Sequence, residues 1–274
     1  MKTVMTMKEI RLLAIDMDGT LLKDDKSIDD ADFRAVQRAA NSGIEVVMAS
    51  GRPLIMMPEK VLQINQRYAI ISNGAKIIDL RNRQTVFHQT MDLEMTRRFL
   101  EALENMDCWI CLESGDASYY GGRNINDIAI LQPRIRNHRG KYVRNLFKLF
   151  ENEDFPLEKV IVRTLKENEA RILRLQGEFP GFNIMDNNDG ALEINDRNSS
   201  KGAALKWLCQ HMGIARENVA AIGDSDNDLT MLNFARYSVA MANSSDFIRQ
   251  ICWMTTSSNM ENGVEKAIDR LMEL

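Results

Sequence analysis

The apolar run Leu12–Ile15 ends in two aspartates, Asp16 and Asp18, within "LLAIDMDGTLL". Carboxylates resist leaving water and repel each other at close range, so a pair at the end of a buried strand needs a reason. A strand running into an Asp-Gly turn is one reason, and it requires no chemistry. A site that wants both charges on one side is the other. Residues two apart on a strand point the same way, so Asp16 and Asp18 can face one site across Met17. Gly19 then allows a sharp turn, which lets backbone N–H groups approach an anion.

More candidates follow the other apolar runs. "IEVVMAS" delivers Ser50 and Gly51, "YAIIS" delivers Ser72, Asn73 and Gly74, and "VAAIG" leads into Asp224, Asp226, Asn227 and Asp228. Lys201 stands near the start of the helical stretch "SKGAALKWLCQHMG". Singly, each has a structural explanation. Ser50-Gly51 is a helix lead-in before Pro53, Lys201 is a surface lysine, and "GDSDND" is a turn with a capped helix start. A full calcium loop is excluded there, because the terminal Glu spacing is absent. Jointly they converge, since ligands of open parallel sheets bind beyond the carboxyl ends of the strands and every candidate lies on that edge. Four carboxylates at one edge demand a hard metal ion and a nearby ammonium group.

The elements that must hold these residues alternate between strand and helix. "SIDDADFRAVQRAANSG" reads as a helix with Ser27 or Asp29 as N-cap and Gly43 as its stop. Strand, helix, strand, helix, strand predicts an α/β fold with a doubly wound parallel sheet. The pattern then breaks. "DLEMTRRFLEALENM" reads as an amphipathic helix, "CWICLE" as a strand, "SGDASYYGGRN" as a loop, and a basic, mostly helical stretch runs to about Phe150. "EKVIVRT", "ENEARILRLQGEF", "FNIMDN" and "ALEIND" follow as strand, helix, strand, strand. The first pattern resumes after that. One α/β domain is therefore expected from residues 1–83 and 194–274, with an α+β domain inserted over 84–193.

Composition narrows the function classes. The chain has 274 residues, 45% hydrophobic and 27% charged, with a formal net charge of −4. No basic stripe is present to neutralise a nucleic-acid backbone, whereas a small phosphorylated ligand needs only a local cationic spot. No apolar stretch approaches a membrane span and no signal-peptide pattern opens the chain. Cys108, Cys111, Cys209 and Cys252 lack the second pair that would complete a zinc site, so buried thiols and a cytoplasmic location are expected.

"DMDGTLL", "ASGR", "SSKGAAL" and "GDSDNDLTML", in this order, resemble the four motifs of the haloacid dehalogenase superfamily. The insertion after the second motif resembles the type IIB cap of its Cof-like phosphatase branch, as do "SNGA" and "SVAMAN". Ser50 stands where Thr is commoner in that family. The resemblance implies that Asp16 is a nucleophile forming an aspartyl-phosphate and that Asp18 is the general acid and base. Like-charge crowding would favour the protonated Asp18 that the first role needs. It further implies magnesium on Asp16, the backbone carbonyl of Asp18 and Asp224, with Asp228 orienting its waters. Lys201 would offset the phosphoryl charge, and Ser50, Gly51 and Asn227 would hold the phosphate.

The expected function is a magnesium-dependent phosphatase of small phosphorylated metabolites, sugar phosphates foremost. A sugar phosphomutase of the same fold is the alternative, and it would need a bisphosphorylated activator. A signalling receiver shares the acceptor Asp, the acidic pair and the Lys, but not the acid at Asp18 or the large insertion. The intact residue set argues against a binding protein with a degenerate site.

Overall fold

The computed structural model describes residues 10–115, 117–123, 140–164, 166–186 and 191–274. The chain divides into two compact units, Met1–His88 with Ser200–Leu274, and Gln89–Ser199. The expected boundaries at 84 and 193 move for a physical reason. Gln84–His88 pairs antiparallel with Lys76–Asp79 and so extends the first sheet, while Leu192–Asp196 pairs within the second.

Before the insertion the first unit contributes β1 (Leu12–Asp16), β2 (Glu45–Ala49), β3 (Tyr68–Ile71), β4 (Lys76–Asp79) and β5 (Gln84–His88). The inserted unit contributes β6 (Cys108–Ser114), β7 (Ala117–Arg123), β8 (Lys141–Tyr142), β9 (Leu157–Thr164), β10 (Phe182–Asp186) and β11 (Leu192–Asp196). The first unit then resumes with β12 (Val219–Gly223), β13 (Tyr237–Ala240) and β14 (Met254–Thr255).

The first sheet runs β14-β13-β12-β1-β2-β3-β4-β5, parallel from β14 to β3 and closed on one edge by the antiparallel β4–β5 hairpin. β1 is buried along its whole length, which explains its lack of polar alternation. Leu13 and Ile15 pack on one face with Val36, Ala39 and Ile268, while Leu12 and Ala14 pack on the other with Ala204, Leu205 and Leu208. Helices therefore cover both faces. The chain leaves β1 toward β2 on one side and returns to β12 on the other, so the strand order reverses at β1. Such a reversal opens a crevice beyond the strand ends. Asp16 and the Asp224 turn stand there.

Local chemistry sets the helix ends. The Asp29 carboxylate accepts from Ala31 N–H at the start of the helix Asp30–Asn41, and Gly43 follows its end at φ +95°. The helix Lys201–Met212 starts at the Ser200 cap and stops at left-handed Gly213.

The inserted unit has its own sheet, ordered β10-β11-β9-β6-β7-β8, with an aromatic core that includes Phe99, Phe179 and Phe182. Two expectations are corrected. "SYYGG" is not a loop: Ala117–Arg123 is a strand paired with β6, because Tyr119 and Tyr120 lie opposite Leu112 and Cys111. The glycine content misleads there, since Gly121 is needed where a Cβ would meet the Val143 carbonyl at 2.6 Å. In the basic stretch, Leu146–Glu151 is a 3-10 helix and Lys141–Tyr142 a short strand, while residues 124–139 lie outside the described residues. Cys108 and Cys111 are buried thiols, and burial pushes Cys108 up to about 12. No described helix is long and apolar enough to cross a membrane.

Gly74 and Gly213 both have positive φ but differ in surroundings. A Cβ on Gly74 would lie 2.1 Å from the Ser200 carbonyl, whereas nothing lies within 4 Å of one on Gly213. Gly213→Ala should therefore cost only the left-handed backbone penalty, about 1 kcal/mol. Gly74→Ala should cost roughly 3 kcal/mol or more, because backbone must move. Urea denaturation of both variants checks this, and equal losses would contradict it.

Candidate active site

Four strand ends assemble the candidate site. β1 ends in Asp16, β2 leads into Ser50 and Gly51, β3 leads into the turn Ser72–Gly74, and β12 leads into Asp224. Lys201 is the first residue of its helix. That helix start is held closely on two sides. Gly74 brings its turn against Ser200, and Gly202 donates its N–H to the Thr230 hydroxyl at 3.0 Å. A Cβ on Gly202 would meet Thr230 backbone at 2.3 Å, so only glycine permits this approach.

Lys201 is fully buried, and its ammonium donates to Asp16 Oδ1 at 2.6 Å and to Asp228 Oδ1 at 2.7 Å. It also reaches Asn227 Oδ1 at 3.3 Å. Burial would lower the Lys201 pKa, but the charges of Asp16 and Asp228 outweigh that and raise it, so the ammonium stays charged. Asp16, Asp224 and Asp228 each place a carboxylate oxygen within 4.8 Å of the others.

The three carboxylates are not equivalent. Asp228 is saturated: Lys201 holds one oxygen, and the N–H groups of Asp224 and Ser225 donate to the other at 3.0 and 3.1 Å. Asp224 accepts from the Thr20 hydroxyl at 2.8 Å, and Asn243 reaches its second oxygen at 3.4 Å. Asp16 has one oxygen on Lys201, while its buried Oδ2 has no hydrogen-bond partner among the described residues. Burial and the Asp228 charge push Asp16 well above the usual carboxylate range, and the same two causes push Asp224 up to about 6. Three carboxylates against one ammonium leave excess negative charge in a buried place. An all-oxygen cluster with an orphaned carboxylate oxygen suits a hard divalent cation.

Asp18 departs from expectation. Arg52 grips it with a two-pronged fork, Nε to Oδ2 and Nη2 to Oδ1, both at 2.6 Å, and Lys26 adds a bond at 2.8 Å. Burial raises the Asp18 pKa, but hydrogen bonds from Arg52 and then Lys26 outweigh it and hold the carboxyl below its ordinary value. Crowding by Asp16 does not keep Asp18 protonated here, because two cations face it.

The phosphate-binding candidates form one connected group. The Ser50 hydroxyl accepts from Arg52 N–H at 3.1 Å, and the Ser50 carbonyl accepts from Asn73 N–H at 3.0 Å. Gly51 lies where a Cβ would be 2.8 Å from Asn73 Oδ1. Asn227 donates to Asn73 at 3.2 Å and accepts from Lys201 and from Ser225, so it ties the lysine to the β3 turn.

A family model described as haloacid dehalogenase-like hydrolase matches residues 13–268. The chain belongs to the haloacid dehalogenase-like hydrolases. Among curated relatives, a 5-amino-6-(5-phospho-D-ribitylamino)uracil phosphatase of Bacillus subtilis is 27% identical, covering 95% of each chain. A phosphoglycolate phosphatase of Methanobrevibacter smithii is 23% identical over 96% of this chain and 99% of its own. A phosphatase of the haloalkanoate superfamily from Bacteroides thetaiotaomicron shares the fold, with a TM-score of 0.84 at 21% identity over all of both chains.

Thr20, Arg52 and Asn243 went unassigned in the sequence of this family member, although each lies in or beside a quoted motif. Thr20 sits in "DMDGTLL", Arg52 ends "ASGR", and Asn243 closes "SVAMAN", where its amide donates to the Gly19 carbonyl at 2.8 Å. Lys26 has no motif signal, because it reaches Asp18 from a turn.

The carboxylate cluster makes a stability prediction. Asp16 and Asp224 have folded pKa values raised above the unfolded values, near ~3.9. Their contribution to stability is therefore complete below that pH and is lost as pH rises through about 6 for Asp224. Magnesium should offset the loss, raising Tm over a chelated sample more at pH 7 than at pH 5. Thermal melts at both pH values decide it, and a magnesium increment that is absent or equal at both would contradict the reading.

Proposed function

We propose that the chain is a magnesium-dependent phosphatase of small phosphorylated metabolites, sugar phosphates among them, working through an aspartyl-phosphate on Asp16. The observation that carries this reading is the state of Asp16: one oxygen is locked by Lys201 and the other is buried without a hydrogen bond from any described residue. A carboxylate held in a fixed direction with lone pairs uncommitted is equipped to be a nucleophile.

In the first half of the reaction, a bond forms between an Asp16 oxygen and phosphorus as the ester P–O bond breaks. Asp18, ionised in the Arg52 fork, first takes a proton from solvent and then gives it to the departing oxygen. In the second half, water attacks the phosphorus, Asp18 takes the water's proton, and Asp16 and inorganic phosphate are released. The ionised Asp18 found in the Arg52 fork is in the form that serves this second half. Lys201 offsets charge on Asp16 and the phosphoryl oxygens throughout, while the Ser50 hydroxyl and the Gly51 N–H are our assigned donors to those oxygens. Asn227 contributes by holding Lys201 in place. We assign the metal to Asp16, Asp224 and the Asp18 backbone carbonyl, with Asp228 acting from outside that set. A bound magnesium ion supplies charge neutralisation at the phosphoryl group.

These residues address only the phosphoryl group, which every phosphate ester shares. We therefore assign substrate selection to the inserted unit Gln89–Ser199. Relatives named as phosphatases of a phosphorylated ribityl compound and of phosphoglycolate support small esters as the substrate class.

A panel of phosphorylated metabolites tests the reading. Hydrolysis should vanish with a chelator and return with magnesium. Asp16→Asn should lower kcat by roughly 10³-fold or more with an unchanged fold. Near-normal turnover in this variant, or in chelated enzyme, would place the chemistry elsewhere.

A further inference from the structure

Arg52 is placed with unusual care for a rim residue. Its N–H donates to the Ser50 hydroxyl at 3.1 Å, and its carbonyl accepts from Ser72 N–H at 3.1 Å. Its third guanidinium nitrogen reaches the Met56 carbonyl at 3.2 Å, so the fork on Asp18 is held at its own base. The side chain is only 22% exposed, unlike the mobile surface ion pairs that contribute little. Lys26 shares Asp18 Oδ1 with Arg52 and reaches it from a turn in which its own φ is +67°. Left-handed backbone is costly for a lysine, and the turn is closed by Lys23 N–H to Ser27 carbonyl and Lys26 N–H to Lys23 carbonyl, both at 2.9 Å.

We propose that Arg52 and Lys26 are positioning residues for Asp18, fixing the plane of its carboxyl group for the proton transfers assigned to it. The inference rests on the proposed role of Asp18 as acid and base. A carboxyl group joined to the chain by two rotatable bonds otherwise sweeps a wide arc, and proton transfer demands alignment within hydrogen-bond reach. A two-pronged guanidinium contact removes rotation about the last bond, which a single-point ammonium contact cannot do.

Leaving-group dependence of kcat/KM separates positioning from simple support, because this ratio reports steps only through transfer to Asp16. An alkyl phosphate needs its leaving oxygen protonated, whereas 2,4-dinitrophenyl phosphate does not. Arg52→Ala should lower kcat/KM on the alkyl ester by roughly 10²-fold while changing the dinitrophenyl ester by only about threefold. Turnover of the dinitrophenyl ester should slow at the later hydrolysis step, with phosphorylated enzyme accumulating in acid-quenched samples. Arg52→Lys should fall between, and exposed Lys26→Ala should show the same pattern more weakly. Equal losses of kcat/KM on both esters would overturn the proposal, because Arg52 would then serve the phosphoryl group or the fold. Asp18→Asn in the same panel distinguishes the two levels. If it keeps the alkyl rate, the reading of Asp18 itself fails; if it loses that rate while Arg52→Ala does not, this inference alone fails.

Discussion

A single buried ammonium holds the candidate site together. Lys201 lies between Asp16 and Asp228, which come from β1 and from the turn after β12. Without it, two carboxylates with almost no access to water would face each other across the strand-order reversal. Removing one partner from a buried charge group costs about 3–5 kcal/mol, because the remaining charge is stranded. The position of Lys201 is accordingly fixed by backbone and not by side-chain choice. Glycines at 74 and 202 let a turn and a second helix approach the start of its helix more closely than any Cβ would allow.

From that lysine outward, the carboxylates form a graded series. Asp228 spends both oxygens on protein donors, Asp224 is partly engaged, and Asp16 keeps one oxygen uncommitted. The grading follows from chain geometry. Asp228 lies in a capping box that closes on the backbone of its own turn, so its hydrogen bonds are local. Asp16 ends a strand whose backbone is already used by two neighbouring strands, and no local donor points at its side chain. Availability for chemistry is thus a product of where each aspartate falls relative to its element.

The same distinction explains what was legible in the sequence. Runs such as "LLAID" and "VAAIG" are short, uninterrupted and apolar, and burial on both faces is the only way to satisfy them, so the parallel sheet and its ligand edge could be read directly. Asp16, Asp224 and Asp228 could be placed on that edge because they stand at or after strand ends whose direction the pattern determines, and Lys201 because it opens a helix. The side-chain partners of Asp18 could not. Arg52 lies 34 positions away, and its fork depends on how Ser50 and Ser72 hold its backbone. Lys26 depends on a left-handed residue that nothing in "KDDKS" requires. "SYYGG" failed differently. Glycine commonly forms turns, but Gly121 admits a neighbouring backbone within a strand.

The point where the inserted unit ends has a mechanical consequence. The division falls at Ser199–Ser200, so the chain re-enters the first unit one residue before Lys201. An insertion that ends this close to a site lysine would transmit any strain in its last residues directly to the ammonium. Three local devices isolate it. The Ser200 hydroxyl accepts from Ala203 N–H and starts the helix independently of what precedes it. Gly74 presses a turn of the first unit against the Ser200 carbonyl, and Thr230 takes the N–H of Gly202 from the opposite side. The re-entry point is therefore held by groups of the first unit. Lys201 is thereby set by the contacts from Ser200 to Gly202 rather than by the length or composition of the inserted sequence.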